Sequence, residues 1–311
     1  MLDVCLLGCG GTQPLPGRRL SSVLVRYRGR LLLVDCGEGT QVALRERAWG
    51  LRNLDAIFLT HMHGDHVLGL PGLLLTLAFT GKAENERLAI CGPEPLIDVV
   101  SSLLVVAPRL PFPVDLVVLS GDEHFELETL PDLRVDCCPV RHDVPCLAYS
   151  FSLSRAPRFD PERASALGLP RSEWRTLQGG AAVQFNGRTV EPSAVMGPPR
   201  RGIRLVIATD LRPDPAIASF VRANGDGANL LIADAMYPSA EDMPKQWEAR
   251  HLTFAEAATL ARDGNARCLW LTHYGPALTD PGPHLYRASD IFPQTVAGHD
   301  GLTTTVAYAD E

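Results

Sequence analysis

Four residues with metal-binding side chains fall within six positions, His61-Met62-His63-Gly64-Asp65-His66. Imidazole nitrogens and a carboxylate oxygen suit a borderline cation such as zinc, and a catalytic zinc keeps an open position for water. Gly64 lets the backbone turn tightly enough to aim the side chains inward. Chance is a poor explanation, because nine histidines in 311 residues rarely place three in six. One tetrahedral ion cannot take all four donors and stay reactive, so two ions with further ligands are expected. His142, Asp210 and His273 supply them, each close behind an apolar run, as His61 is. His251 stands two residues before the helix start expected at Thr253. It reads either as a group placed at an anion-binding helix N-terminus or as a surface residue ahead of a cap.

Elements to position these residues can be read from the apolar runs. Leu31–Val34 leads to Asp35, Ile57–Thr60 to His61, Leu205–Thr209 to Asp210, Leu230–Ala233 to Asp234 and Cys268–Thr272 to His273. Short continuous runs of this kind predict strands covered on both faces, with helices outside. The likeness of Ile57-Phe58-Leu59-Thr60-His61 to Leu269-Trp270-Leu271-Thr272-His273 hints at two related halves. Thr253-Phe254-Ala255-Glu256 has capping-box spacing and predicts a helix ending at Gly264. A second helix is predicted over residues 70–79. Asn186-Gly187 between two short apolar-polar runs predicts a hairpin.

Composition narrows the class. With 46% apolar and 21% charged residues, the chain reads as one ordinary α/β domain over residues 1–311. No apolar run approaches the roughly 18–20 residues of a membrane span. Met1-Leu2-Asp3-Val4 reads as the start of a strand rather than a leader, so the cytoplasm is expected. The eight cysteines contain no Cys-x-x-Cys pair and are expected to be reduced, mostly buried thiols. The net charge of −7 argues against a chain coated in basic residues, but its distribution is uneven. Residues 155–204 carry nine arginines and four acids, a net +5, which leaves −12 for the rest. A basic segment on an acidic body fits either a polyanion contact or a solvated insert. Residues 155–202 are also rich in Pro and Gly and read as an insertion.

These motifs resemble the metallo-β-lactamase superfamily and, within it, the ribonuclease Z branch, the endonucleases that trim the 3′ trailer of precursor tRNA. The resemblance rests on the His-x-His-x-Asp-His cluster, the lone His142, Asp210-Leu211-Arg212-Pro213 and Leu271-Thr272-His273. The blocks Asp35-Cys36-Gly37-Glu38-Gly39-Thr40-Gln41, Gly69-Leu70-Pro71-Gly72-Leu73-Leu74 and Gly197-Pro198-Pro199-Arg200 narrow it to that branch. It implies a four-layer αββα fold with a protruding arm and two zinc ions. His61, His63 and His142 would hold one ion, Asp65, His66 and His273 the other, and Asp210 would bridge them. Asp65 would also act as general base, and His251 would contact the scissile phosphate and protonate the leaving oxygen. The insertion would be the arm that grips tRNA away from the active site, with Arg171, Arg175, Arg200 and Arg201 as phosphate contacts. A homodimer is implied as well. Residues 171–180 lack the Gly-Pro pair usual in that arm, and the stretch after His273 departs from the usual Ser-rich one. The residues therefore also allow a phosphodiesterase acting on small or cyclic esters, or a silent zinc protein that binds RNA or a partner.

Overall fold

The structure, a computed structural model, describes residues 1–121, 123–223, 225–242 and 250–308. It divides into two compact units, one of residues 1–152 with 203–308 and a second built on residues 153–202.

The larger unit is organised by two seven-stranded sheets. The first contains β1 (Leu2–Gly8), β2 (Ser22–Tyr27), β3 (Arg30–Val34), β4 (Leu54–Phe58), β5 (Leu88–Gly92) and β6 (Val114–Val118), with the last strand of the chain at the edge beside β1. The second contains β7 (His124–Glu126), β8 (Leu133–Val140), β9 (Cys146–Arg155), β12 (Arg200–Ala208), β13 (Leu230–Asp234), β14 (Leu269–Thr272) and β15 (Thr295–Ala297); β16 (Thr303–Val306) is the edge strand of the first. Strands β3 to β6 run parallel, and so do β12 to β15. Each sheet thus has a block of four parallel strands, consistent with the repeated Leu/Ile-rich runs that end in Thr-His.

Strands β3, β4, β5, β13 and β14 are buried on both faces, as their unbroken apolar runs predict, whereas the edge strands β6 and β15 are partly exposed. Between the sheets, Phe58 on β4 makes ring contacts at 5.4–5.7 Å with Phe125, Tyr149 and Phe151 of the second sheet. The Tyr149 hydroxyl, which lies in this apolar layer, donates to the Leu59 carbonyl at 2.7 Å, so this buried hydroxyl is not left unpaired. Helices α1 (Thr40–Arg47), α3 (Leu70–Phe79) and α4 (Leu96–Leu103) pack their apolar faces on the first sheet, with Leu70, Leu73, Leu74 and Leu77 fully buried. On the second, α8 (Phe254–Asp263) buries Phe254, Ala257, Ala258 and Ala261 and begins with the full capping box of Thr253 and Glu256. The remaining α-helices of this unit among the described residues are the single turn α2 (Gly64–Val67), α7 (Pro215–Arg222) and α9 (Tyr286–Ser289). Helix, sheet, sheet, helix is the four-layer arrangement that the family resemblance implies. No helix among the described residues is long and apolar enough to cross a membrane, and the eight cysteines are free.

The histidine cluster spans the loop after β4 and the single turn α2, which are stitched to the turn after β3. Cys36 N–H donates to the His66 carbonyl at 2.8 Å and Gly69 N–H to the Cys36 carbonyl at 2.9 Å. A Cβ on Gly69 would lie 2.2 Å from the Gly37 carbonyl oxygen, so this close backbone approach requires glycine.

The second unit, described by itself, holds α5 (Pro161–Ala166), α6 (Arg171–Gln178) and a hairpin of β10 (Val183–Phe185) and β11 (Arg188–Val190). The hairpin turns at Asn186 and Gly187, both at positive φ, as the Asn-Gly pair predicts. Its own small core is formed by Ala164, Leu169, Leu177, Val183 and Val195. Asp160 caps α5 through its side chain.

Candidate metal centre

The site forms where the C-terminal ends of the parallel strands converge, the usual place for chemistry in parallel sheets. Asp35 follows β3, His61 lies three residues beyond β4, Asp210 lies two beyond β12, and His273 follows β14. Asp35, Asp210 and His273 have positive φ of 61°, 55° and 61°. Non-glycine residues pay a conformational cost there, and such outliers collect at functional sites. The left-handed turn at a strand end redirects the side chain into the cleft.

All seven expected donors are brought together. His61, His63 and His142 form one cluster; His61, His66 and Asp210 a second; Asp65, His66 and His273 a third. A fourth joins Asp210 and His273 to His251, whose ring stacks on that of His273 at 5.4 Å. Shared members link the four clusters into one continuous constellation. None includes His124, His284 or His299 among the described residues.

Hydrogen bonds fix which ring nitrogen faces the centre. His66 Nδ1 is 2.8 Å from the Asp35 carboxylate, so its Nε2 points inward, 3.2 Å from Nε2 of His273. His61 Nδ1 is 3.0 Å from the Thr60 hydroxyl, and His142 Nδ1 is 3.2 Å from the Arg250 carbonyl. His142 Nε2 then faces His63 Nδ1 at 3.4 Å. Asp65 Oδ2 accepts the Thr12 N–H at 2.6 Å and lies 3.4 Å from His273 Nε2. The His273 ring rests against Gly11, where a Cβ would intrude to 2.4 Å.

Burial and mutual charge divide the site. Burial, with repulsion from His66, holds His61 well below the usual histidine range, and burial also lowers His142. For His66 burial works in the same sense, but Asp35, Asp210 and Asp65 overcome it and hold the ring well above that range. At His273, burial is again outweighed, here by Asp210, Asp65 and Asp234, and the ring is pushed up to about 9. Burial would raise the carboxylates, yet His66 and His273 hold Asp65 low, and the same two rings hold Asp210 well below the usual range.

The residues fit metal ions. Nε2 of His61 and Oδ2 of Asp210 are buried with no hydrogen-bond partner among the described residues. Buried polar atoms left unpaired are costly, and converging lone pairs of histidine and carboxylate are satisfied together by a cation.

The comparisons agree with this geometry. Residues 15–152 match the metallo-beta-lactamase superfamily. A curated relative named ribonuclease Z, from Lachnospira eligens, is 42% identical over 312 residues and covers 100% of both chains. The chain belongs to the ribonuclease Z family. Two solved structures share the fold over nearly the whole chain. Human tRNase Z, short form, has a TM-score of 0.66 at 23% identity, covering 98% of this chain and 99% of that one. The metallo-beta-lactamase fold protein YhfI from Bacillus subtilis has a TM-score of 0.67 at 18% identity, covering 97% and 98%. Membership of the ribonuclease Z family makes this chain a hydrolytic enzyme of the metallo-β-lactamase fold.

Beyond the expected donors, the structure adds supporting carboxylates that sequence reading did not assign. Asp35 holds His66 directly and steadies His61 through Thr60, whose N–H it accepts at 2.8 Å and whose hydroxyl contacts it at 3.0 Å. Asp234 lies 3.0 Å from His251 Nδ1. Both end apolar runs exactly as Asp210 does in type, and that shared pattern was the available signal. Asp35→Ala is expected to weaken metal binding by about 10–100-fold and to destabilise the fold by about 3 kcal/mol. A chelator competition and a thermal melt measure the two effects, and unchanged metal retention would remove Asp35 from this role.

The arginines lie in different settings. Arg171 and Arg175 are exposed one turn apart on α6, and Arg171 stacks on Trp174 at 5.7 Å. Arg200 and Arg201 are half-buried at the start of β12 and engaged in interactions, so they are less available than the sequence suggests.

Proposed function

We propose that the chain is a zinc-dependent endoribonuclease that removes the 3′ trailer from precursor tRNA, leaving a 3′-hydroxyl on the tRNA and a 5′-phosphate on the trailer. The observation that carries this reading is the continuous cluster of seven donors and His251 in a chain that matches ribonuclease Z relatives over its whole length. Two zinc ions are assigned, with His61, His63 and His142 holding one, Asp65, His66 and His273 the other, and Asp210 shared. When bound, such a pair supplies the Lewis acidity that lets water attack phosphorus near neutral pH and offsets charge building on the phosphate.

The chain's own groups carry the protons. Asp65, fixed by the Thr12 N–H, takes the proton of the attacking water. His251, buried and oriented through its Nδ1 by Asp234, gives a proton to the departing 3′ oxygen. Residues 155–202 bind the tRNA through phosphate contacts, with Arg171 and Arg175 foremost because they are exposed. The enzyme works as a homodimer in the cytoplasm.

The test is cleavage of an end-labelled precursor tRNA beside a small chromogenic phosphodiester, before and after metal stripping. Cleavage at the trailer junction with the stated ends is expected, lost on chelation and restored by zinc. Efficient turnover of the small ester without cleavage of the RNA would replace the tRNA reading by the small-ester one. Activity unaffected by complete stripping would remove the metal assignment.

A further inference from the structure

His142 is followed by Asp143, whose carboxylate is held by Arg250 and faces two histidines of the site rim. Asp143 Oδ2 pairs with Arg250 Nη1 at 2.7 Å, and Oδ1 lies 2.9 Å from His142 Nε2 and 3.7 Å from His63 Nε2. Arg250 acts twice, since its backbone carbonyl also lies 3.2 Å from His142 Nδ1. That carbonyl can only accept, so His142 carries its proton on Nδ1 and presents a lone pair at Nε2. A carboxylate oxygen 2.9 Å from such a lone pair is unfavourable unless a proton or a cation lies nearby.

A metal ion held by His142 Nε2 and by His63 Nδ1, which faces it, leaves His63 with its one ring proton on Nε2. That nitrogen is the one turned toward Asp143. A carboxylate accepting the outer N–H of a metal-bound histidine fixes its tautomer and raises its basicity.

We propose that Asp143, anchored by Arg250, is a positioning residue for the His61, His63 and His142 cluster, closing from 3.7 Å to accept the His63 Nε2 proton when the ion binds and so holding Nδ1 toward the metal. This inference rests on the two-zinc reading above. It gives the rim pair a defined role: Arg250 steadies His142 through its carbonyl and His63 through Asp143. A surface ion pair of the same geometry, side chains 26% and 36% exposed, would contribute little by itself.

The experiment is a zinc competition titration against a chromogenic chelator, with the wild-type chain, Asp143→Ala, Asp143→Asn and Arg250→Ala, alongside thermal melts of the metal-free proteins. Asp143→Ala is expected to weaken one of the two zinc equivalents by about 10–100-fold and leave the other within about twofold. Asp143→Asn keeps an oxygen that can accept from His63 and is expected to recover part of the loss. Arg250→Ala is expected to fall between Asp143→Asn and Asp143→Ala, and the metal-free melts to stay together. Two wild-type equivalents with both unchanged in Asp143→Ala, or both weakened equally, overturn this inference alone. A wild-type chain that takes up no zinc overturns the metal reading, and the inference with it.

Discussion

Asp65→Ala is expected to lower kcat on precursor tRNA by about 10³–10⁴-fold while the protein stays folded. Asp65 stands at the start of the short helix α2, with one oxygen fixed by the Thr12 N–H and 3.4 and 3.6 Å from Nε2 of His273 and His66. Its removal takes away both the proposed proton acceptor and one of the carboxylates facing two histidines. The side chain is 12% exposed at the cleft and belongs to no apolar core cluster, so the melting temperature should move by only a few degrees. Asp65→Asn keeps the size but cannot take a proton, and is expected to be almost as slow. Zinc content measured on both variants separates a lost base from a lost ion: full zinc with collapsed kcat assigns the proton transfer to Asp65. Turnover within about tenfold of wild type in Asp65→Ala would remove Asp65 from the mechanism.

Much of this centre was legible because its residues sit at positions where local chemistry and the strand pattern coincide. His61, Asp210 and His273 each follow a buried run by at most three residues, and a run that ends in a polar residue points to the sheet edge where side chains converge. The capping box at Thr253, the helix over 70–79 and the Asn186-Gly187 turn were legible for the same reason, since each depends on residues close in sequence. The pairing of β16 with β1 and the tilted ring contact of Phe58 with Tyr149 depend on residues far apart, and no local pattern encodes them.

The supporting carboxylates show the same boundary within the site. Asp35, Asp143 and Asp234 look like the donors by residue type, and two of them also follow apolar runs. What separates Asp35 and Asp234 from Asp210 is which ring nitrogen they meet. Asp35 faces the Nδ1 of His66 and Asp234 the Nδ1 of His251, whereas Asp210 faces the Nε2 of His66 and His273 at 3.3 Å. That distinction arises from side-chain direction at the strand ends, and sequence spacing carries no record of it. Arg200 and Arg201 illustrate the converse: their charge was plain, but their half-buried setting at the start of a strand was not.

Excising residues 156–199 and joining the flanking strands with a short flexible linker is expected to lower kcat/KM for precursor tRNA by about 100-fold, while hydrolysis of a small phosphodiester stays within about twofold. The reasoning is electrostatic and modular. The excised stretch holds five arginines, at 158, 163, 171, 175 and 188, and packs around a core of its own. None of the donors lies in it, so the chemistry should survive. Phosphate contacts position a nucleic acid without reading its sequence, and each one lost makes the dependence of binding on salt shallower by about one unit of slope. The loss should therefore appear mainly in KM, shrink as salt rises, and be reproduced in part by Arg171→Ala with Arg175→Ala, which leaves the rest of the unit intact. Unchanged cleavage of precursor tRNA by the excised chain would show that these residues do not bind it. Equal loss on both substrates would instead mark the segment as necessary for the fold of the larger unit, an outcome that the melting temperature of the excised chain would reveal directly.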